Sequence, residues 1–313
     1  MYNYPYMEPW LIIIIIVIGV LLLASLGFVI YISNLMVSQM CKPKHYVTHE
    51  EKLTEVASLF DIDKAKSFKR EPIQFVMLDG YVLHGDYSLN NPKKFVICMH
   101  GHTSIRDSSL KYAYSFYRLG YSLVFFDHRS HGDNVRDYVT MGYREHQDAL
   151  EVIKQVKAKF GEDIELGLFG CSMGGATSLM CLKERDDLSF VVSDCAFASL
   201  KDLVRGFCVI HKSIPFFFLG PTNLFLKLRF HFSFKDASAL KAVSVNTKVP
   251  VLFIHGDKDD FVFPINATKL YKAYNGPKRL EMFEEAVHCG SIIADRERYY
   301  KVIEEFIEGK IYG

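Results

Sequence analysis

Residues 166–176 read LGLFGCSMGGA, a short apolar run followed by a glycine-rich turn and the first residues of a helical pattern. The turn, residues 170–174, has the form Gly-x-Ser-x-Gly and places Ser172 between a predicted strand and a predicted helix. Small flanking residues permit the tight turn that lifts a serine hydroxyl clear of a sheet. An ordinary glycine-rich turn is the alternative, but the strand–turn–helix context favours a nucleophile at Ser172.

A base and an acid follow Ser172 in the chain order that this kind of nucleophile needs. Residues 255–262 read HGDKDDFV and place three aspartates directly after the apolar run Val251–Ile254. His288 lies in the loop after a further predicted strand, Arg279–Phe283. A serine hydroxyl is a weak nucleophile, so it needs a histidine to take its proton and a carboxylate to orient that histidine. The order serine, acid, histidine therefore predicts His288 as the base and one of the aspartates as the acid.

Short apolar runs alternate with helical patterns from Pro72 onward. The first two runs, Gln74–Leu78 and Tyr81–Tyr87, surround Asp79-Gly80, which is a hairpin turn signal. Alternating strands and helices predict an α/β fold, a mostly parallel sheet with helices on both faces and functional loops at the carboxyl ends of its strands. The other predicted strands are Phe95–Met99, Ser122–Phe126, Ile164–Phe169, Phe190–Ser193, Val251–Ile254 and Arg279–Phe283.

Backbone amides beside Ser172 are predicted to stabilise the oxyanion that forms on acyl attack. The N–H of Met173, directly after the nucleophile, is the first expected donor. The second is expected from residues 100–103, where Gly101 lets the backbone approach closely because it has no side chain.

Short motifs at the ends of the predicted strands resemble those of a known superfamily. They are Asp79-Gly80, His100-Gly101, residues 127–132 (DHRSHG), the turn at 170–174, His255-Gly256, Asp259, Val262 and His288. On these residues, the chain from about Gln74 to its C-terminus resembles the α/β-hydrolase superfamily, and more narrowly its prolyl oligopeptidase-like and Bem46-like branch. In these relatives the acid is the fifth residue of a His-Gly-x-x-Asp-x-x-Val pattern, which falls on Asp259, with Asp257 and Asp260 as rivals. Ser130 stands where relatives usually carry glycine.

The resemblance implies a serine hydrolase mechanism without a cofactor. Ser172 would attack an acyl carbon, His288 would take and return its proton, and Asp259 would orient His288. The amides of Met173 and His102 would hold the oxyanion, and water would release the acyl group. The expected substrate is a small-molecule carboxylic ester or thioester. A serine peptidase of the prolyl oligopeptidase type is one alternative, although the chain lacks room for the large propeller, and an anchored binding module without catalysis is another.

The segment Leu11–Ile32 carries no charge and is about as long as a helix that crosses a bilayer's hydrocarbon core. Aromatic residues flank it at Tyr6, Trp10 and Tyr31, where rings favour the headgroup region. A cleaved signal peptide and a buried core helix are the alternatives. The length of the segment and the lack of Lys and Arg before it favour a permanent, single-pass anchor in the cell membrane.

Basic residues follow the apolar segment and do not precede it. Lys42, Lys44 and Lys52 therefore favour a cytoplasmic catalytic domain over an outward-facing one.

We predict three segments: an anchor at 1–40, a linker at 41–71 and an α/β-hydrolase domain at 72–313. The linker contains a short amphipathic helix that Thr48 and Glu51 open as a capping box. Within the domain, a helical cap insertion is expected at about 195–249.

Phenylalanines are concentrated in the cap, which favours an acyl or aromatic, lipid-like group on the substrate. Two other interpretations are a small core of the cap itself and a surface that lies against the bilayer, because basic residues interleave with the aromatic ones. The phenylalanines are Phe207, Phe216, Phe217, Phe218, Phe225, Phe230, Phe232 and Phe234, and the basic residues are Arg205, Lys212, Lys227 and Arg229.

Composition excludes some classes of function. The 37 basic and 36 acidic residues leave a net charge of +1, so the chain has no field that recruits nucleic acid. Seven cysteines, an odd number without paired spacing, predict free thiols in a reducing compartment. Four histidines and two aspartates fall close together in sequence, but their spacing matches no two-histidine helix motif, so no metal is predicted. These residues are His100, His102, His128, His131, Asp127 and Asp133.

Overall fold

The computed structural model describes residues 7–42, 47–59, 68–210 and 215–309. Its centre is an eight-stranded sheet with the order β1-β2-β4-β3-β5-β6-β7-β8. The pairs β1–β2 and β2–β4 are antiparallel and all others are parallel. The strands are β1 (Glu71–Val76), β2 (Val82–Ser88), β3 (Lys94–Met99), β4 (Ser122–Phe126), β5 (Glu165–Cys171), β6 (Phe190–Asp194), β7 (Val251–Gly256) and β8 (Lys278–Phe283).

Eleven α-helices within the described residues flank or precede this sheet. They are α1 (Pro9–Cys41), α2 (His49–Leu59), α3 (Leu110–Tyr117), α4 (Tyr143–Phe160), α5 (Met173–Met180), α6 (Leu200–Ile210), α7 (Leu219–Phe230), α8 (Ala239–Val243), α9 (Ile265–Ala273), α10 (Ser291–Ala294) and α11 (Arg296–Ile307). The predicted α/β class, with a mostly parallel sheet, is confirmed.

The central strands are buried on both faces, which explains why they read as continuous apolar runs. In β3, Phe95 and Ile97 join the core under α4 and α5, whereas Val96 and Cys98 join the core under α3 and α11. Two cores, one on each side of the sheet, therefore hold the carboxyl ends of the strands at one edge.

The first strand begins three residues earlier than the sequence indicates, at Glu71 and not at Gln74. Pro72 lies inside it, opposite Asp86 of β2. A proline has no N–H to donate, but β1 is at the edge of the sheet, so the missing donor costs no ladder hydrogen bond. The turn signal at Asp79-Gly80 joins β1 to β2, with Gly80 at φ +79°.

Arg129 links this hairpin to the rest of the domain. Its guanidinium donates to Asp148 of α4 and, at 2.8 and 3.0 Å, to Asp79 of the hairpin turn. Beside it, Ser130 adopts φ +66°, a left-handed conformation that glycine adopts more readily. The amide of Asp137 donates to the Ser130 hydroxyl at 3.1 Å, a contact that a glycine at this position lacks.

Helix α1 is long and apolar enough to cross a membrane, by length and composition. Its last turns leave that apolar segment and pack against the domain, with Met36, Val37 and Cys41 buried in the core. The amide of Val139 donates to the carbonyl of Cys41 at 2.8 Å, and Arg229 of α7 donates to Ser38 at 2.9 Å. The C-terminal end of α1 is therefore part of the folded body.

The capping box at the start of α2 is present: the Thr48 amide donates to Glu51 at 2.8 Å and the Glu51 amide donates to Thr48 at 3.2 Å. Most of the predicted linker after α2, together with Tyr6, Lys44 and Lys212, lies outside the described residues. The division into three segments stays a prediction.

The predicted cap contains α6, a 3-10 turn at Phe216–Phe218, α7 and α8. Its aromatic residues separate into two groups. Phe218, Phe230, Phe232 and Phe234 are buried, as a core of the cap requires, whereas Phe216 and Phe217 are 53% and 61% exposed.

Candidate active site

The serine turn occupies the carboxyl end of β5. Ser172 has φ +57° and ψ −116°, and α5 begins at the next residue. A Cβ on Gly170 would lie 2.1 Å from the Gly174 carbonyl oxygen, and one on Gly174 would lie 2.2 Å from that of Met99. Since real Cβ atoms do not approach backbone so closely, both positions require glycine. The pentapeptide is therefore a strained, close-packed turn.

Ser172, His288 and Asp259 form one chain of hydrogen bonds. The Ser172 hydroxyl lies 2.9 Å from His288 Nε2, and His288 Nδ1 lies 2.7 Å from Asp259 Oδ2. This geometry requires Nδ1–H to donate to the carboxylate and leaves Nε2 to accept from the serine. The three residues come from loops after β5, β7 and β8, so the parallel sheet brings them together.

Asp259 is the aspartate of its cluster that contacts His288. It is buried, and its Oδ1 accepts from the amides of Phe261 and Val262 at 3.0 and 2.8 Å. Burial by itself would raise the pKa of Asp259, but hydrogen bonds from His255 and His288 outweigh burial and lower that pKa to about 2. Asp257 and Asp260, the rivals, are exposed.

The amides expected to hold the oxyanion lie next to Ser172. A Cβ on Gly101 would lie 3.4 Å from the Ser172 Cβ, so the loop after β3 passes directly beside Ser172. In the described part of the chain, no protein group accepts a hydrogen bond from the N–H of Met173 or His102. The His102 ring points elsewhere, donating from Nε2 to the carbonyl of Met40 at 2.9 Å. Both oxyanion assignments stay predictions.

Two histidines of the sequence cluster bind backbone with both ring nitrogens. His100 donates to the Gly101 carbonyl at 2.7 Å and accepts from the His128 amide at 2.9 Å. His131 donates to the Arg129 carbonyl at 2.7 Å and accepts from the Thr103 amide at 3.1 Å. Burial lowers the pKa of His100 to about 4 and also lowers that of His131, so both rings are neutral. They fix the loops after β3 and β4 to each other.

A cavity of about 450 Å³ opens beside Ser172. One wall comes from the loops of the sheet and the other from α2, through Lys52 and Glu55. The ring of Phe261 lies 5.0 Å from that of His288. Sequence analysis did not associate α2 or Phe261 with the site, because no spacing signal marks a residue that reaches it from a distant helix or from the side of a loop.

The thiols of Cys171, Cys195 and Cys289 lie together next to Ser172 and His288. Cys171 Sγ lies 3.1 Å from that of Cys289 and 3.6 Å from that of Cys195, and Tyr112 Oη is 3.3 Å from Cys171 Sγ. Hydrogen bonds from Cys195 and Cys289 lower the pKa of the Cys171 thiol. All seven cysteines are free.

Comparisons with known proteins also indicate a hydrolase. The family model described as "Serine aminopeptidase, S33" matches residues 90–217. The uncharacterized protein YqkD of Bacillus subtilis is 32% identical over 235 residues, which cover 73% of this chain and 76% of YqkD. The chain belongs to the α/β-hydrolase superfamily.

Two further comparisons agree with this membership. Protein bem46 of Schizosaccharomyces pombe is 23% identical over 236 residues, covering 74% of this chain and 73% of that protein. The esterase Pf2001 of Pyrococcus furiosus shares the fold, with a TM-score of 0.64 and 23% identity over 80% of this chain and 93% of the esterase. The resemblance to Bem46-like hydrolases is confirmed, and the chain is an α/β hydrolase.

Proposed function

We propose that this α/β hydrolase cleaves a carboxylic ester or thioester through an acyl-enzyme on Ser172. The observation that carries the proposal is the hydrogen-bonded chain from Asp259 through His288 to Ser172, with distances of 2.7 and 2.9 Å. A base must lie within hydrogen-bond reach of the proton that it abstracts, and His288 Nε2 meets this requirement.

In the first half of the reaction, His288 Nε2 takes the Ser172 proton while Oγ attacks the acyl carbon. The amides of Met173 and His102 donate to the resulting oxyanion, and each such donor contributes on the order of 10²–10³ to the rate in related chemistry. His288 then protonates the leaving alcohol or thiol. Asp259 stays ionised because its pKa is about 2, so it stabilises the imidazolium throughout.

In the second half, water attacks the acyl group on Ser172 and transfers a proton to His288. Collapse of the second oxyanion releases the acid and returns the proton to Ser172. The net reaction is ester plus water giving acid plus alcohol.

The decisive variant is Ser172→Ala, which removes the nucleophile and keeps the turn. We expect hydrolysis of p-nitrophenyl acetate to fall by at least about 10⁴-fold, because removing a nucleophile of this kind costs about that much or more. The Tm should stay near that of the parent. Ser244→Ala, a change in an exposed position after α8, is the matched control and should hydrolyse the ester normally.

Labelling with a fluorophosphonate probe separates an enzyme from an anchored binding module. The parent should be labelled and Ser172→Ala should not. Undiminished ester hydrolysis by Ser172→Ala, or a parent that the probe does not label, would contradict the assignment.

A serine peptidase is the second candidate, because the matching family is described as a serine aminopeptidase. An aminopeptidase needs a carboxylate to hold the substrate's ammonium group. Among the described residues that line the cavity, Glu55 alone is a carboxylate, and it is paired with Lys52. This pairing favours the ester, and rates on p-nitrophenyl esters against aminoacyl-p-nitroanilides decide between the two.

We also propose that α1 anchors the enzyme in the cell membrane by a single pass, with the catalytic domain in the cytoplasm. The uncharged segment Leu11–Ile32 and the lysines that follow it support this orientation. In inside-out membrane vesicles, an added protease should digest the catalytic domain, and in right-side-out vesicles it should not. Digestion in the right-side-out vesicles alone would reverse the orientation.

A further inference from the structure

A second cavity, of about 160 Å³, lies between the end of α1 and the cap. Its lining is mostly apolar and comes from three parts of the chain. They are Met36, Gln39 and Met40 of α1, Leu203, Val204 and Phe207 of α6, and His102, Met141 and Phe261 from the loops near the sheet. An apolar cavity of this size accepts an apolar occupant more readily than water, because it offers water few hydrogen-bond partners.

This cavity adjoins the one beside Ser172. His102 and Phe261 line both cavities, so these two side chains form the boundary between them. The His102 ring is held in that position by its hydrogen bond to the Met40 carbonyl at 2.9 Å. An elongated molecule with its carbonyl at Ser172 therefore has an apolar space next to its acyl end.

The position of the second cavity along α1 can be compared with the layers of a bilayer. Met36 follows Ile32, the last residue of the apolar segment of α1, by four residues, which places it roughly 6 Å further along the helix axis. The polar headgroup layer of a bilayer has about this thickness. Lipid ester carbonyls lie at the inner boundary of that layer, so a lipid ester reaches the cavity by rising about this distance out of the hydrocarbon core.

The cap also reaches the uncharged part of α1. Phe218, in the 3-10 turn directly before α7, contacts Phe28 of α1 with ring centroids 6.2 Å apart. Phe216 and Phe217, next to Phe218, are exposed. Large apolar side chains on this surface become favourable when the surrounding medium is lipid, so the cap surface beside α1 is suited to contact with acyl chains.

We propose that the second cavity holds the proximal acyl chain of an ester-linked membrane lipid, which reaches Ser172 from the bilayer alongside α1 and α6. This inference rests on the proposed esterase function and names its substrate class. An engineered cavity of about 150 Å³ in another protein holds benzene, so about six carbons of the chain fit here and the remainder stays in the lipid. Water hydrolyses the ester, leaving a fatty acid in the apolar cavity and the alcohol on the side of Lys52 and Lys111.

The test uses the full chain in mixed micelles and compares p-nitrophenyl laurate with p-nitrophenyl acetate. Val204→Trp fills the second cavity from α6. We expect its kcat/KM on laurate to fall by about 10–200-fold, the usual cost of a misfit in an apolar pocket, while acetate stays within about twofold. Val209→Trp adds the same side chain to the same helix at a residue that is 49% exposed and lines neither cavity, and it should change neither rate.

A Val204→Trp enzyme with an unchanged ratio of laurate to acetate hydrolysis would overturn the proposal. If Val204→Trp does not fold, as judged by thermal unfolding, Leu203→Phe makes a smaller addition to the same cavity and should lower the same ratio. A parent that hydrolyses acetate but shows no preference for longer chains refutes the acyl-chain site and leaves the esterase function intact.

A measurement that needs no turnover tests the acyl-chain site independently of the proposed esterase function. A diazirine-bearing fatty acid in phosphatidylcholine vesicles should, on illumination, attach to residues 36–40 or 203–207 of the parent and of Ser172→Ala. The same attachment should be weak in Val204→Trp. Attachment elsewhere, or equal attachment in all three proteins, would refute the acyl-chain site even if the protein hydrolyses no ester.

Discussion

At Ser172 the backbone conformation directs the hydroxyl toward its partner. A φ of +57° is one that residues with a Cβ rarely adopt, and such conformations cost on the order of 1–3 kcal/mol. Packing of Gly170 and Gly174 against backbone on both sides holds the turn in place. The strain therefore serves to hold Oγ within reach of His288.

Asp259 should matter for activity far more than its exposed neighbours. We expect Asp259→Asn to lower kcat for p-nitrophenyl acetate by about 10⁴-fold, because an amide does not stabilise the tautomer and the imidazolium that the reaction needs. Steady-state kinetics on purified protein measures this. Asp260→Asn changes an exposed residue that does not bond to His288, and it should retain the parent's kcat. Equal losses in both variants would contradict the assignment of Asp259.

The lowered pKa of Asp259 also makes stability depend on pH in a defined window. The folded pKa is about 2 against an ordinary value of 3.8, so the folded state binds this proton less readily than the unfolded state. The stabilisation is present above about pH 4 and is lost as the pH falls through 2, and it amounts to about 2 kcal/mol. Urea unfolding of the parent and of Asp259→Asn should therefore give free energies whose difference shrinks between pH 4 and pH 2. A constant difference across that window would count against the pairing.

At the scale of elements, the turn between β5 and α5 tolerates no side chain at Gly174. A methyl group there would overlap the Met99 carbonyl oxygen of β3, at 2.2 Å. We expect Gly174→Ala to lower the free energy of unfolding by about 1–3 kcal/mol and to abolish ester hydrolysis, because β3 and α5 must separate. Gly220→Ala, also at a helical glycine but with no atom nearby, should be neutral or slightly stabilising. Chemical denaturation and an ester assay on both variants check this.

The strands, and the loops that bring Ser172, Asp259 and His288 together, were predictable from sequence because their signals are local. Each buried strand is a short apolar run, and each loop residue of the hydrogen-bonded chain follows such a run, as Ser172 and Asp259 do. The start of β1 was misplaced since Pro72 reads as a strand breaker unless the strand is known to lie at an edge. The wall that α2 contributes to the cavity was not predictable, because a contact between distant segments leaves no periodic trace.

At the scale of the whole molecule, the end of α1 and the α/β-hydrolase domain are one packed unit. Removing residues 1–32 leaves Met36, Val37 and Cys41 in place, whereas removing residues 1–42 takes these buried side chains away. Burying a Val or Met side chain contributes about 1.5–3 kcal/mol, so the longer truncation should lower the free energy of unfolding by about 3 kcal/mol or more relative to the shorter one. Urea unfolding of the two proteins makes the comparison. Equal stabilities would show that the end of α1 only passes over the surface.

No sequence pattern predicts this docking, because the end of α1 continues the helix without a break and its buried residues are too few to show a period. The predicted boundary between anchor and linker, at residue 40, was placed where the hydrophobicity of the sequence falls. Packing depends instead on what the helix meets in space. The second cavity was invisible from sequence for the same reason.

Helix α1 is continuous over 33 residues, roughly 50 Å at 1.5 Å per residue. If α1 spans the membrane as proposed, a continuous helix that is packed against the domain at one end and lies in lipid at the other restricts how the hydrolase can move relative to the bilayer. A change in bilayer thickness would then be accommodated in part by tilting α1 together with the domain, because a helix cannot stretch to match. The lipid environment would thereby adjust the angle at which Ser172 faces its substrate.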